Sequence, residues 1–576
     1  MGAAQAAAEP APGSLSAAVR DQLEGPVGAS IEPGDREVLK SFYATREYSA
    51  VWVDERGPTR AARRAVGELA EAESWGLDSA AFQMNAVTAP MQGGRWSAAE
   101  AASAEIEIST LVLKYARQAR GGRIAEPEKQ LTTYLDRAPR VIDAAAVLSQ
   151  ITLAADPGAA LRSYQPQHPQ FLKLKELYAR LQGDLKQQQE LALDVKGPAL
   201  MPGKSYPDIA TLRRRLAIAS EPGAETVYDE RLVAAVKQYQ SGMALRADGI
   251  VGSKTRKALN VNVADQLAAV ISNMEQWRWM PDDLGARHIF VNVPSYSIEF
   301  VEKGVATFRE RVIVGKVDTQ TPIFSHEMTT IVMRPEWYLP DSIKLKKLLS
   351  GRALESQGLK VKKNGRVVSS TSVNWSKANL SAYAVYQPSG GKNALGAVKF
   401  LFPNKHSVYL HDTPDKSLFN SDARIFSHGC IRVRSPLALA QHLFDADRGA
   451  GALDAAKLAR GGPQSYEITL ATPIPVHVGY FTVWVDDDGR AQFMPDRYGH
   501  QKRITLALND RWKDIDRGKD HLAALDTTSL KSVSLRSKRT LESALTDPAG
   551  LTKSNSYYGY RPSSGVEALL RRALGN

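Results

Sequence analysis

At His288 the hydrophobic pattern of this chain changes period, and that change bounds the folds open to it. From Arg60 to about Leu181, Ala and Leu recur at three- and four-residue spacing, which lines one face of a helix. Glu105 to Ala119 is the clearest case, and Gly121-Gly122 supplies its stop. Beyond His288 the apolar runs are short. Ile289 to Val293, Ser297 to Val301, Arg311 to Val314 and Thr329 to Met333 read as strands between turn residues. A chain of 576 residues is too long for one core. The expectation is a multi-domain α+β protein, helical first and β-rich afterwards.

Finer divisions follow from turn and breaker residues. Residues 1–31, rich in Ala, Pro, Gly and Ser, read as a flexible start. Residues 32–200 form a helical support, with Phe42, Tyr43, Tyr48 and Trp52 as core candidates. Residues 205–262 form a small helical unit. In it Leu212 and Leu216 share one helix face, and Leu232, Val236 and Tyr239 another. Residues 263–284 read as a linking helix and 285–508 as the β-rich domain, interrupted by an insertion at 334–392. Asp486-Asp487-Asp488-Gly489 is read as a turn, because it lacks the downstream acidic ligand of a calcium loop. The basic tail 509–576 reads as loosely packed, with a Ser-rich run from Thr527 to Thr540.

Chemistry centres on Cys430, the single cysteine, in Ser427-His428-Gly429-Cys430-Ile431-Arg432. A lone Cys is more often an inert small hydrophobe than a nucleophile. Its neighbours shift that balance. A thiol with an ordinary pKa near 8.5 needs a base or cation beside it, and His411 and His428 are candidates. Gly429 lets backbone N–H groups approach an oxyanion, and Arg432 presents a planar fork of donors to an acidic substrate. Tyr409, two residues before His411 on a strand, faces the same side. A metal site from His411, Asp412, His428 and Cys430 has no common ligand spacing, and neither a metal nor a cofactor is expected. One Cys also excludes an intramolecular disulfide.

Ser427 to Arg432, with fifteen residues between His411 and Ser427, resembles the signature of the L,D-transpeptidases with a YkuD-type catalytic domain. The resemblance implies Cys430 as nucleophile, His411 as general base, and His428 and Gly429 as shapers of the oxyanion region. Arg432, Tyr409 and Ser427 would line the substrate. It further implies that 32–200 is a scaffold domain and that 334–392 is a capping subdomain; Trp337, Tyr338 and Tyr386 in it are candidates to stack on substrate, with burial in the insertion's own core as the alternative. Tyr239-Gln240, Asp248 to Gly252, Thr255 and Ala258-Leu259-Asn260 resemble the mark of a small peptidoglycan-binding module. Glycan contact through 205–262 and a spacer role both stay open there.

Carried over, the activity is acyl transfer from a tetrapeptide stem to an amine acceptor on peptidoglycan, in the periplasm, by a monomer. Acylation by carbapenems is expected too. A thiolate near neutral pH is part of that picture. An L,D-carboxypeptidase or endopeptidase with the same thiol, and a non-catalytic wall-binding protein, are the alternatives. The net charge of +12, with its Lys and Arg taken as scattered, suits either a soluble basic surface or attraction to a carboxylate-rich wall. Nucleic acid is not an expected partner, and no stretch reaches the roughly eighteen apolar residues of a membrane span. The Ala-rich start looks like the end of an export signal.

Overall fold

The computed structural model describes residues 11, 13–54, 56–88, 95–187, 193–243, 245–259 and 263–524. The Ala-rich start and the Thr527 to Thr540 run lie outside them. Separate buried clusters mark the helical region, the small module, the β-rich domain and the insertion.

Helix Ala98–Gly121 organises the first region. Ser97 and Glu100 close a capping box at its start. In its middle sits Glu105, fully buried, which accepts hydrogen bonds from Tyr43 Oη (2.6 Å) and from the backbone N–H groups of Val51, Trp52 and Val53 (2.8, 2.8 and 3.1 Å). A buried carboxyl group is tolerable only with its lone pairs satisfied in this way. Tyr43 and Trp52 are fully buried as expected, while Phe42 and Tyr48 pack at the rim of the cluster.

One reading of the sequence needs correction and another needs extending. The start is not loose up to residue 31, because Leu15–Glu24 is a helix capped by Ser14. Leu15, Val19 and Leu23, spaced at i, i+4 and i+8, pack it onto the helical core despite the small-residue composition around them. Helix Val263–Arg278 forms as expected but is more than a linker, being buried on almost every face. Trp277 stacks on His168 at 4.1 Å on one side and Phe481 at 4.4 Å on the other. Glu275 accepts from the backbone N–H groups of Arg123 (2.6 Å) and Ile124 (3.0 Å), and Arg278 donates to the Trp75 carbonyl at 2.6 Å. The helix is thus a spine shared by the helical and β-rich regions. Arg137 ties them again, donating to Ser325 Oγ and the Val478 carbonyl.

The small module packs helices Asp208–Arg215, Glu230–Gly242 and Ser253–Leu259 around Leu212, Leu232, Val236 and Val251. Arg256, fully buried within it, donates to Asp208 Oδ2 at 2.6 Å.

The β-rich domain is built on a nine-stranded sheet, with a separate two-stranded hairpin of Val483–Val485 and Ala491–Phe493. In chain order the large sheet's strands are β1 (Arg287–Asn292), β2 (Ser297–Glu302), β3 (Val305–Gly315), β4 (Phe324–Met333), β5 (Val398–Leu401), β6 (Leu410–His411), β7 (Ile425–Ser427), β8 (Ile431–Val433) and β9 (Tyr466–Gly479). Their spatial order is β7-β3-β8-β6-β5-β4-β9-β1-β2, and β2 also pairs with β3, so the sheet closes on itself. β9 is continuous, with a register shift between Thr469 and Ile474. Helix Pro436–Arg448 starts on Pro436, where the missing N–H costs nothing.

The insertion has its own core, including Leu348, Val361, Trp375 and Val385, and a four-stranded sheet. Asn393 clasps its entry and exit, its amide donating to the carbonyls of Pro335 (3.1 Å) and Pro388 (2.9 Å). Residues 334–392 carry eleven Lys and Arg against three Asp and Glu, a net +8 of the chain's +12. The positive charge is therefore concentrated on this insertion, not scattered.

Candidate active site

Parallel pairing of β6 with β8 brings the two marked stretches together. Leu410 lies opposite Ile431 and His411 opposite Arg432, with the Ile431 N–H donating to the Tyr409 carbonyl at 3.1 Å. Leu410, Ile431 and Val433 are fully buried in the core. Alternation along each strand then turns Tyr409, His411, Cys430 and Arg432 to the opposite face.

His411 is buried, with Nδ1 2.5 Å from the Asp412 carbonyl oxygen. A carbonyl only accepts, so Nδ1 carries the proton and Nε2 keeps a free lone pair. Burial, helped by the Arg432 charge, holds the imidazole down at about 3, against the opposing pull of the Asp412 carbonyl. The group that orients His411 is thus the Asp412 backbone carbonyl and not the Asp412 side chain. The Asp412 carboxylate is engaged elsewhere, accepting from Ala397 N (2.8 Å), Thr413 N (2.7 Å) and Lys416 Nζ (2.6 Å).

Cys430 is half-buried. Its thiol donates to the Ser407 carbonyl at 3.9 Å, and no hydrogen bond joins it to His411 among the described residues. Burial pushes the thiol up to about 11, while the Tyr409 N–H, the Tyr409 phenol and Arg432 pull it down. The expected depressed thiolate is therefore not the resting state. A neutral thiol stands on the same face as a neutral imidazole, because desolvation outweighs the nearby donors.

The turn from Ser427 to Cys430 is held from within. Ser427 Oγ donates to the Cys430 carbonyl at 2.5 Å and accepts from the Gly429 N–H at 3.2 Å. Gly429 has φ +114°, a region that residues with a Cβ rarely adopt. Its carbonyl accepts from Thr321 Oγ1 at 2.7 Å, a fully buried support. Ser427 thus serves the turn, and the Gly429 N–H is already engaged. The Cys430 N–H makes no hydrogen bond to the described residues. Arg432 is half-buried, with an Nε that is enclosed and unpartnered.

His428 is exposed, and its pKa is lowered by partial burial and then by Lys346 and Lys316. Lys346 belongs to the insertion's basic helix Asp341–Leu349, so the insertion overhangs the site. Trp337, also of the insertion, lies beside the Tyr409 phenol, which in turn lies beside Cys430. Tyr386 behaves differently. Trp337 pairs with Gln387 and Tyr338 with Tyr386, so alternation puts Tyr386 on the other face of the insertion's sheet from Trp337. There it stacks on Tyr338 at 5.4 Å, with Lys362 Nζ 4.2 Å from its ring centre. The structure does not bring it to Cys430.

The fold and site define a closed sheet that presents a cysteine, a tautomer-fixed histidine and an arginine on one face beneath an inserted, basic cap. Comparison with known proteins shows which domains these stretches match. Residues 286–448 match the L,D-transpeptidase catalytic domain of the YkuD type, residues 205–259 the "Putative peptidoglycan binding domain", and residues 37–177 the "Scaffold domain". The chain thus carries a YkuD-family L,D-transpeptidase catalytic domain together with a peptidoglycan-binding domain and a scaffold domain.

A curated relative from Haemophilus influenzae, named "Putative L,D-transpeptidase", is 31% identical over 254 residues, covering 43% of this chain and 50% of the relative. The chain therefore spans about half the length of that relative. Among solved structures, an L,D-transpeptidase (residues 123–326) from Xylanimonas cellulosilytica aligns at 13% identity over 49% of this chain and 98% of that one, with TM-score 0.17. A fused Zn-dependent amidase/peptidase/peptidoglycan-binding protein from Clostridium acetobutylicum aligns at 12% identity over 49% and 100%, with TM-score 0.14. Among the described residues no helix is long and apolar enough to cross a membrane.

Proposed function

We propose that this protein is an L,D-transpeptidase of the periplasm, cross-linking peptidoglycan stem peptides through a thioester on Cys430. The observation that carries the reading is the convergence of Tyr409, His411, Cys430 and Arg432 on one face under the cap. Rotation about the Cys430 Cα–Cβ bond takes the thiol from the Ser407 carbonyl towards the lone pair on His411 Nε2. His411 accepts the proton as sulfur attacks the carbonyl between the third and fourth stem residues. Charge separates only as the S–C bond forms, so the neutral resting pair is compatible with attack. The Cys430 N–H is the available backbone donor for the developing oxyanion.

Collapse of the adduct breaks the C–N bond, and His411 returns the proton to the departing D-residue amine. A stem amine then attacks the thioester, loses its proton to His411, and regenerates the thiol. Arg432, with Nε unpartnered, holds a substrate carboxylate, and the net +8 on 334–392 draws an acidic peptide beneath the cap. Closure over the thiol excludes water and favours the amine as acceptor.

Incubation with tetrapeptide muropeptides followed by mass spectrometry tests the proposal. Dimers that have lost one terminal D-residue are expected. Trimmed monomers alone would make the protein an L,D-carboxypeptidase. Full turnover by Cys430→Ala would remove the thiol from the mechanism. Intact-mass spectra after carbapenem treatment should show one adduct, absent from that variant.

A further inference from the structure

A second polar cluster stands behind the thiol, and the sequence motifs do not account for it. Residues 404–408 form the turn that leads into β6. Asn404 ties the turn, its Oδ1 accepting from His406 N (3.0 Å) and Val408 N (3.2 Å) and its Nδ2 donating to the carbonyls of Phe402 and Val408. Ser407 has φ +56°, an uncommon conformation for a residue with a Cβ. Its carbonyl is the one that accepts the Cys430 thiol.

The His406 side chain is fully enclosed and makes two hydrogen bonds. Nε2 lies 2.9 Å from Asp136 Oδ2, and Nδ1 lies 2.8 Å from Nε2 of His521. His521 Nδ1 in turn lies 2.9 Å from Thr133 Oγ1, and its ring stacks on Tyr134 at 3.9 Å. Proton placement in this chain is determined by its acceptor end. Asp136, where bonds from His406 and Lys405 outweigh burial and hold the carboxyl at about 2, is an acceptor only. His406 therefore donates from Nε2 and accepts at Nδ1. His521 donates from Nε2 and accepts at Nδ1 from the Thr133 hydroxyl. This arrangement satisfies every partner, and removal of His521 leaves the enclosed His406 Nδ1 without its hydrogen-bond partner.

We propose that His521, reaching in from the segment after the catalytic domain, is a positioning residue for the thiol. Through His406 it fixes the 404–408 turn on which Cys430 rests. The consequence runs through the backbone. If His406 loses its donor, the turn relaxes out of the left-handed conformation at Ser407. The Ser407 carbonyl and the Tyr409 N–H, the two backbone groups at the sulfur, then move together. Chemistry at sulfur is affected, while Arg432 and the cap are untouched. The segment Asn509 to Ala524 is therefore an accessory wall of the site and not only a tail. Arg517, donating to the Lys129 carbonyl at 3.0 Å, anchors it beside His521. The inference rests on Cys430 as the nucleophile proposed above.

The test is His521→Phe in the full chain. Phenylalanine keeps the ring on Tyr134 and removes both hydrogen bonds, and His521→Gln restores an N–H towards His406. Two readouts are needed: the pH profile of Cys430 alkylation by iodoacetamide, which requires no turnover, and kcat and KM on muropeptides. Expected for His521→Phe is an alkylation profile moved to lower pH, as a loosened turn admits water to the sulfur. With it, kcat falls about tenfold and KM stays within twofold, and His521→Gln recovers most of both. A wild-type profile with wild-type kcat overturns the proposal. A lowered Tm with an unmoved profile overturns it as well and leaves His521 a structural tie. A shifted profile in a protein whose turnover is unaffected by Cys430→Ala would uphold the brace and overturn the proposed nucleophile.

Discussion

Two stretches of this chain carry comparably sharp motifs, and the structure uses them in opposite ways. In the small module, Gln240, Asp248 and Thr255 face one another. Gln240 Nε2 donates to Asp248 Oδ1 (3.2 Å), the Ile250 carbonyl (3.0 Å) and Thr255 Oγ1 (3.2 Å), and its Oε1 accepts from the Gly249 N–H at 2.9 Å. Asp248 also accepts from the Ile250 N–H. The polar atoms of that motif are consumed in holding the fold, and Gln240 is buried. In the catalytic domain the turn residues Ser427, Gly429 and Thr321 are likewise consumed, but Cys430, His411 Nε2 and Arg432 Nε are left with capacity to bind. A motif whose atoms satisfy one another encodes architecture; one that leaves atoms open beneath a cover encodes chemistry.

The comparison can be broken from either side. Cys430→Ala should cut muropeptide turnover by at least about 10⁴-fold with Tm unchanged, since the half-buried thiol contributes little packing. Gln240→Ala should do the reverse. Turnover of soluble muropeptides stays at wild-type level, while the module loses about 2–4 kcal/mol for orphaned buried partners, read by hydrogen exchange across 205–259. A Gln240→Ala variant with an intact module and lost glycan binding would move that motif into the functional class.

Acid should separate the two regions next. His411, at about 3, and His168 and His477, at about 4, are depressed chiefly by burial, and none lies in the module. Their unfolded forms take up protons near pH 6.5 while the folded forms do not. The stability they contribute is thus complete above about pH 6.5 and is lost as pH falls towards about 4, by up to roughly 3 kcal/mol each. Exchange protection should drop between pH 6.5 and 4.5 in the helical and catalytic regions and hold in the module. A uniform drop would show that histidine burial is not the cause.

Smaller effects should be confined to the thiol. Alkylation of wild-type Cys430 should keep rising towards pH 11 without levelling near pH 8.5. Its folded pKa lies above the unfolded one, so the thiol also removes stability as pH rises from about 9 to about 11. Tyr409→Phe deletes the phenol that lies beside Cys430 and Trp337, and should slow alkylation at fixed pH about 3–10-fold. An accelerated rate would mean that the phenol serves chiefly to close the cap.

Much of this was legible beforehand because it is local. Alternation placed Tyr409 and His411 on one side of their strand, since a strand's period is a property of its own backbone. The change of period at His288 separated helical from β-rich regions. Composition misled at Leu15–Glu24, where three apolar residues four apart outweighed many small ones. At Val263–Arg278 the helix was legible but the extent of its burial was not, because its polar positions Glu275 and Arg278 are satisfied by residues far away in sequence. Tyr386 was misplaced because its role depended on which neighbour strand it paired with.

What the chain determined by itself is the order of its parts and the identity of the reactive groups, because spacing and side-chain chemistry need no partner. Tertiary structure alone decided their state. It gave His411 a carbonyl to fix its tautomer and rested the thiol proton on Ser407. It also brought His521 to His406 across more than a hundred residues. Burial and hydrogen-bond satisfaction depend on which distant atoms meet, and no local pattern records that.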